Sequence, residues 1–401
     1  MRSQPGEALS WALALAGLVL AARMVEEAGL LHGGHEEPIV LSLVALAIVF
    51  SGQLAHATGL PAAVVEILAG LGLAWAGASR VEVLKVLAGI GANIVLFMAG
   101  TEVDVSLIRR RIRQAGEAAI LALAGAALLG LAVSWTVGAE GPGTIILVAG
   151  LSATSAALTY AILQAAGLVR GRRGQVALAA AMITDVVGMI LLNVATSGAN
   201  PLLILYAPIL LAAVLLQPLL PRLGERGFEA ELRLILMAVI VLGSLSEIIG
   251  VHSVLTSFIL GVVVADTVQS RRMLREKLEG LATGFFTPFF FVASGMSVDV
   301  KVLAADILLV LAAGAAAFAA KFLPLLAYFK QQGAGRGGVL YAASLSPLLT
   351  VTIIAAQVGL DQGLLDSRAA AILTGSVVFT SLAASMVALA VSRRSLEVHR
   401  L

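Results

Sequence analysis

Runs of apolar residues, interrupted every twenty or so positions by short polar stretches, follow one another from end to end of this chain. At about 20 apolar residues per bilayer crossing, they predict about 14 helical spans. Their limits are 8–31, 38–57, 60–78, 83–100, 114–138, 143–165, 174–197, 199–221, 231–250, 252–269, 281–298, 303–329, 338–358 and 367–392. Alternation with period two is absent, which argues against a transmembrane β-barrel. The pattern is that of an all-α polytopic membrane protein.

The basic residues test that count independently. With the N-terminus placed in the cytoplasm, 20 of the 26 Lys and Arg fall in inner segments. Five (Arg23, Arg80, Lys85, Lys301, Arg368) fall outside, and Lys321 lies within a helix. A missed or surplus span in the middle would scramble this bias, so both termini are expected in the cytoplasm. Met1 to Ala22 has the charged start and Leu/Ala core of a signal peptide. No small-residue cleavage site precedes a soluble stretch, and the segment is read as a retained first span.

An internal duplication organises the spans. Gly100-Thr-Glu-Val-Asp-Val105 recurs as Gly295-Met-Ser-Val-Asp-Val300, Ile67-Leu-Ala-Gly70 as Phe258-Ile-Leu-Gly261, and Ala161–Leu168 parallels Ile353–Leu360. The offsets are 195, 191 and 192 residues, as one duplication with small insertions would leave. Each offset covers seven predicted helices, an odd number, so the copies face opposite ways in the membrane. Inverted-topology repeats are a signature of secondary transporters, whose sites lie near the midplane. The expected organisation is an added N-terminal helix and outer loop (1–37), a first repeat (38–197), a linker helix (198–230), a second repeat (231–392) and a short cytoplasmic tail (393–401).

Composition narrows the chemistry. The chain is 60% hydrophobic and 12% charged, against roughly 25% charged in soluble domains. Its 41 glycines suit close helix packing in lipid. The absence of cysteine excludes disulfides and thiolate sites. A net charge of only +2, with basic residues strung along loops, gives no support to nucleic-acid binding.

Three formal charges lie well inside predicted spans: Glu66, Asp185 and Lys321. A carboxylate near the bilayer centre costs at least ~2.5–3.5 kcal/mol and marks an ion pathway, a proton relay or a paired structural charge. Asp185 lies 12 residues beyond Arg173, or about 18 Å at helical rise; Lys321 lies nine before Lys330, or about 14 Å. Those depths from one face let a carboxylate and a long ammonium chain meet. Such a carboxylate holds a proton or a metal cation but not both, which is the basis of exchange. Lys321 either neutralises it between cations or snorkels to the interface. Glu66 fits a structural ion pair or cavity wall as well as a cation access pathway.

Hydroxyls add oxygen ligands. Ser152-Ala-Thr154-Ser155 sits mid-span, and the repeat-related helix carries Ser344-Leu-Ser346-Pro347 and Thr350. Pro347 lacks a backbone donor, so that helix is expected to break there and free a carbonyl. Interrupted helices at corresponding positions of two halves point to a transporter site. Alkali cations need oxygen ligands, which Asp185, Thr154, Ser155, Thr184 and Thr350 could provide, although small polar residues also serve as packing. Gly333-Ala-Gly335-Arg-Gly-Gly338 matches a dinucleotide pattern but follows no strand. His32, His35, Glu36 and Glu37 read as a solvated outer loop.

Val64-Val-Glu-Ile-Leu-Ala-Gly-Leu71, Leu96-Phe-Met-Ala-Gly-Thr-Glu-Val-Asp104, Ser152-Ala-Thr-Ser155, Thr184-Asp185, Phe289-Phe-Phe-Val-Ala-Ser-Gly295 and Lys321 together resemble the bacterial monovalent cation:proton antiporter superfamily, in the branch of sodium/proton exchangers and Kef-type systems. The resemblance runs from residue 38 to about 392. It implies a homodimer in a prokaryotic inner membrane and an elevator-like movement of a core domain. It further implies two crossing broken helices, here those of Thr154 and Pro347, an ion-binding Asp at Asp185 and a basic partner at Lys321. Two departures stand out: Thr184 replaces the usual Asp or Asn, and Pro347-Leu-Leu-Thr350 lacks the acidic residue of Pro-x-Gly-Glu. The expected activity is antiport of Na+ (or Li+ or K+) against H+, without enzymatic chemistry, resident cofactor, nucleotide or nucleic acid. A cation-coupled organic solute symporter and a transport-inactive homologue are the alternatives.

Overall fold

A computed structural model of the chain describes residues 5–27, 36–78, 81–103, 105–169, 171–197, 206–224, 228–249, 251–335 and 337–398. Among them every regular element is a helix. In chain order these are α1 (Pro5–Glu27), α2 (Glu36–Thr58), α3 (Ala62–Trp75), α4 (Glu82–Thr101), α5 (Val105–Val137), α6 (Pro142–Ser152), α7 (Ala156–Ala165), α8 (Arg172–Ser197) and α9 (Tyr206–Gly224). The second half continues with α10 (Phe228–Ile248), α11 (Ser253–Ser270), α12 (Arg272–Leu281), α13 (Thr287–Met296), α14 (Val300–Ala305), α15 (Ile307–Gln331), α16 (Gly337–Ser344), α17 (Thr350–Asp361) and α18 (Ser367–Val398). Nine of the described segments are long and apolar enough to cross a membrane.

The differences from the sequence pattern have local causes. The helix expected at 114–138 starts at Val105, with a kink at Arg111 (φ −123°, ψ 15°) where the basic run meets the apolar one. The inner loop after α11 contains a further helix, α12, which turns Leu274 and Leu278 inward and carries Arg272, Arg275, Glu276 and Lys277. Glu36 and Glu37 open α2, which they suit as acidic residues at a helix N-terminus. His32 and His35 lie outside the described residues, as do Arg336 of the glycine motif and part of the 198–230 linker.

The chain divides into two compact units, each drawing on both halves of the sequence. The first comprises Met1–Thr58, Val65–Val103 and Thr196–Ser297. Its helices cross at glycines. A side chain on Gly70 would meet the Val292 carbonyl oxygen at 2.0 Å, and one on Gly295 would meet that of Ile67 at 2.0 Å. Gly100 faces the Phe258 oxygen at 2.2 Å, and Gly261 that of Phe97 at 2.1 Å. Only glycine lets backbones approach so closely.

The second unit comprises Gly59–Val64, Asp104–Ala195 and Val298–Leu401. Here α5 packs on α6 and α15, and α18 packs on α15 and α17. Its core between α5, α8, α15 and α16 is built on Ala118, Ala122, Ala177, Ala181, Leu325 and Phe329. The four alanines bring the polar centres of these helices within reach of one another.

Candidate functional site

Two interrupted helices meet in the second unit. The first stops at Ser152 and resumes at Ala156, as α6 and α7; the second stops at Ser344 and resumes at Thr350, as α16 and α17. Pro347 accounts for the second break, because it lacks an N–H and pushes the preceding residue away from helical geometry. The first contains no proline and depends on hydrogen bonds instead. Ser155 caps α7 by accepting from the Leu158 amide at 3.3 Å. Its own N–H donates to the Pro347 carbonyl at 3.1 Å. The Thr154 hydroxyl donates to Leu345 (3.3 Å), that of Thr159 to Ser344 (2.7 Å), and that of Thr352 back to Gly150 (2.6 Å). All three hydroxyl residues are buried. Each break thus supplies the partners that the other's backbone lacks.

Asp185 and Lys321 reach this crossing from opposite elements. Asp185 is half-buried on α8, and its Oδ2 accepts from the Ala156 amide at 3.3 Å. Gly188, one turn further along, lets α8 come close: a side chain there would stand 2.8 Å from the Ala153 methyl. Lys321 is fully buried on α15. Its Nζ donates to the Ala153 carbonyl at 2.6 Å and to the Thr154 hydroxyl at 3.2 Å. The charge of Asp185 acts on this ammonium through space. Pro324, inside α15, leaves the Ala320 carbonyl without its helical donor. Gly125 of α5 sits against that carbonyl, where a side chain would meet the oxygen at 2.3 Å. The residue before Lys321 is therefore held by close backbone packing.

The sequence candidates sort accordingly. Asp185, Thr154, Ser155 and Lys321 converge on the first break. Thr350 is the first residue of α17, just beyond the second. The hydroxyl of buried Thr184 is taken up by Ala181 on its own helix (2.8 Å), as its position beside Asp185 leads one to expect. Glu66 is buried in the first unit, on α3. Among the described residues, the carbonyls of Thr154 and Ser346 have no protein donor.

Two contributors escaped the sequence reading. Thr380 on α18 accepts from the Leu348 amide at 3.1 Å, and Ser381 donates to the Leu348 carbonyl at 3.0 Å. Ser376 and Thr380 share one face at i,i+4 spacing, with Ser381 next to Thr380, a polar cluster within an apolar span that could have signalled this contact.

Comparison with known proteins decides the family. The transmembrane sodium/hydrogen exchanger model matches residues 41–392. The chain belongs to that family. It is 26% identical over 308 residues to a probable Na+/H+ antiporter of Methanocaldococcus jannaschii, covering 72% of this chain and 78% of that protein. It is 25% identical over 291 residues to the Na+/H+ antiporter of Enterococcus hirae, covering 68% and 76%. A 33% identical match over 245 residues to cation/H+ antiporter 18 of Arabidopsis thaliana covers 54% of the chain and 30% of that longer protein. The sodium/proton antiporter MjNhaP1 of M. jannaschii shares the fold, with a TM-score of 0.65, 15% identity, and coverage of 89% of this chain and 99% of that one.

As a sodium/hydrogen exchanger family member, the chain is a multi-pass membrane protein of a transporter family rather than of an enzyme class.

Proposed function

We propose that the protein exchanges Na+ (or Li+ or K+) for H+ across a prokaryotic cell membrane, with Asp185 carrying proton and cation in alternation. The observation that carries this reading is the convergence of Asp185 and Lys321 on one break, where two interrupted helices cross. A carboxylate in a span is costly unless compensated, and here a backbone amide and a nearby ammonium contribute to the compensation. A bare alkali cation arriving beside Asp185 competes with the proton for the same oxygens. The Thr154 and Ser346 carbonyls, with the hydroxyls of Thr154, Ser155 and Thr350, are further oxygen donors at the crossing. Thr184 is bound to its own helix and is the weakest of the candidate ligands. We assign Lys321 the role of balancing Asp185 when no cation is bound, and Glu66 a place on the access pathway.

We further infer 14 spans in two inverted repeats, within a homodimer. The glycine contacts support the duplication. Gly70 corresponds to Gly261 in the repeat, and Gly100 to Gly295. The contacts pair Gly70 with Gly295 and Gly261 with Gly100. Exchanging the halves turns one pair into the other, as an approximate two-fold axis requires.

One carboxylate switching between H+ and a monovalent cation gives one-for-one, electroneutral exchange. If Lys321 also releases its proton, two protons move per cation and exchange becomes electrogenic. Proteoliposomes with an internal pH dye, challenged with Na+, Li+ or K+, test the function. Cation-dependent alkalinisation with wild-type protein and none with Asp185→Asn supports it; exchange by Asp185→Asn refutes it. Repeating the assay under a clamped potential separates the stoichiometries, because only electrogenic exchange responds to voltage.

A further inference from the structure

We infer that Thr380 and Ser381 of α18 are positioning residues that set the amide facing Asp185, acting through the Pro347–Leu348 peptide. This rests on Asp185 being the exchanging carboxylate. The Pro347–Leu348 peptide is held from both sides. Its carbonyl accepts from the Ser155 N–H at 3.1 Å, and its N–H donates to Thr380 Oγ1 at 3.1 Å. The Thr380 hydroxyl donates its own proton to the Ser376 carbonyl at 2.7 Å, which leaves a lone pair for Leu348. Ser381 Oγ donates to the Leu348 carbonyl at 3.0 Å, so both polar backbone groups of Leu348 are tied to α18.

Thr380 and Ser381 are buried, so neither bond has water as a ready substitute. The connection then passes through Ser155 to the next residue, Ala156, whose N–H donates to Asp185. A non-helical peptide, with no ladder of its own, takes its orientation from such partners. The helix carrying Thr380 thus orients the donor to Asp185 without touching the carboxylate.

The test uses the full-length protein in proteoliposomes with an internal pH dye and a Na+ titration. Thr380→Val, which keeps the shape and removes the hydroxyl, is expected to raise the half-saturating Na+ concentration about threefold to tenfold, the equivalent of one buried hydrogen bond. The maximal rate stays close to that of wild type while the melting temperature falls, because the buried Leu348 amide is left unpaired, and Thr380→Ser restores both half-saturation and melting temperature. Should Thr380→Val not fold, Ser381→Ala carries the test, with about a threefold rise expected. Wild-type half-saturation in both variants overturns the inference. So does a loss of rate and melting temperature that Thr380→Ser shares equally. An Asp185→Asn control separates the two readings. Exchange by that variant removes the function itself, whereas a silent control with an unchanged Thr380→Val removes only the positioning role.

Discussion

Lys321 and Asp185 are anchored at the two ends of one bend, the ammonium on the Ala153 carbonyl and the carboxylate on the Ala156 amide. Each charge therefore has a backbone partner of its own on the same bend. A buried ion pair with full mutual satisfaction would resist any visiting cation. An amide that stays in place while the counter-charge changes suits a site that must be refilled in every cycle.

Lys321→Met should cost about 3 kcal/mol of stability, because it leaves the Ala153 carbonyl without a donor and Asp185 without its nearby cation. Thermal unfolding in detergent measures this. Lys321→Arg should recover part of the loss, since the charge remains while the ammonium's compact geometry does not. Equal melting temperatures for wild type and Lys321→Met would show that the ammonium has no part in holding the bend.

Two glycines of α5 make a matched pair. Gly125→Ala puts a methyl 2.3 Å from the Ala320 carbonyl oxygen and must push α15, with Lys321, away from the bend. A stability loss of about 1–3 kcal/mol is expected, together with reduced exchange. Gly116 has nothing within 4 Å of the corresponding position. Gly116→Ala should leave exchange unaltered and be neutral or stabilising by up to about 1 kcal/mol. Melting temperatures and dye-assay rates of the two variants give the comparison.

The crossed glycine pairs in the first unit predict similar penalties at symmetric positions. Gly295→Ala and Gly261→Ala each place a methyl about 2 Å from a backbone oxygen. Both should lower the yield of folded protein in size-exclusion profiles. Gly89→Ala, with open space around it, should not. Normal yields from both crossing variants would argue against such close backbone contact.

Ser155→Ala removes the cap of α7 and should destabilise by about 0.5–2 kcal/mol. The Ser155 N–H to Pro347 bond survives this change because it belongs to the backbone. Exchange should therefore weaken without disappearing, as measured by the Na+ dependence of the dye signal. Complete loss of exchange with normal folding would instead make the Ser155 hydroxyl an indispensable ligand.

Much of this was legible in the chain itself, for reasons that differ by residue. Helix positions follow from apolar runs, and Pro347 announces its own break. Helical rise from Arg173 and Lys330 predicts similar heights for Asp185 and Lys321, and the structure brings both to the first break. The first break carries no such signal in its own residues, because Ala153, Thr154 and Ser155 are compatible with a helix until a second broken helix competes for their hydrogen bonds. The anchoring of Lys321 on a backbone carbonyl was equally hidden: side-chain spacing pairs charges with charges and is blind to carbonyls freed elsewhere. Thr380 and Ser381 lay in a span from which the sequence pattern singled out no residue. The repeat identified the glycines, yet the crosswise pairing of Gly70 with Gly295 exists only in three dimensions.

Proton release on cation binding tests the competition at Asp185 most directly. Purified protein in weakly buffered detergent solution, with a pH indicator, is mixed with Na+ at constant ionic strength, using choline as the control. Wild-type protein should acidify the solution in proportion to the amount of protein, and Asp185→Asn should give no signal. Undiminished release from Asp185→Asn, or Na+ binding to wild type without any release, would contradict the account.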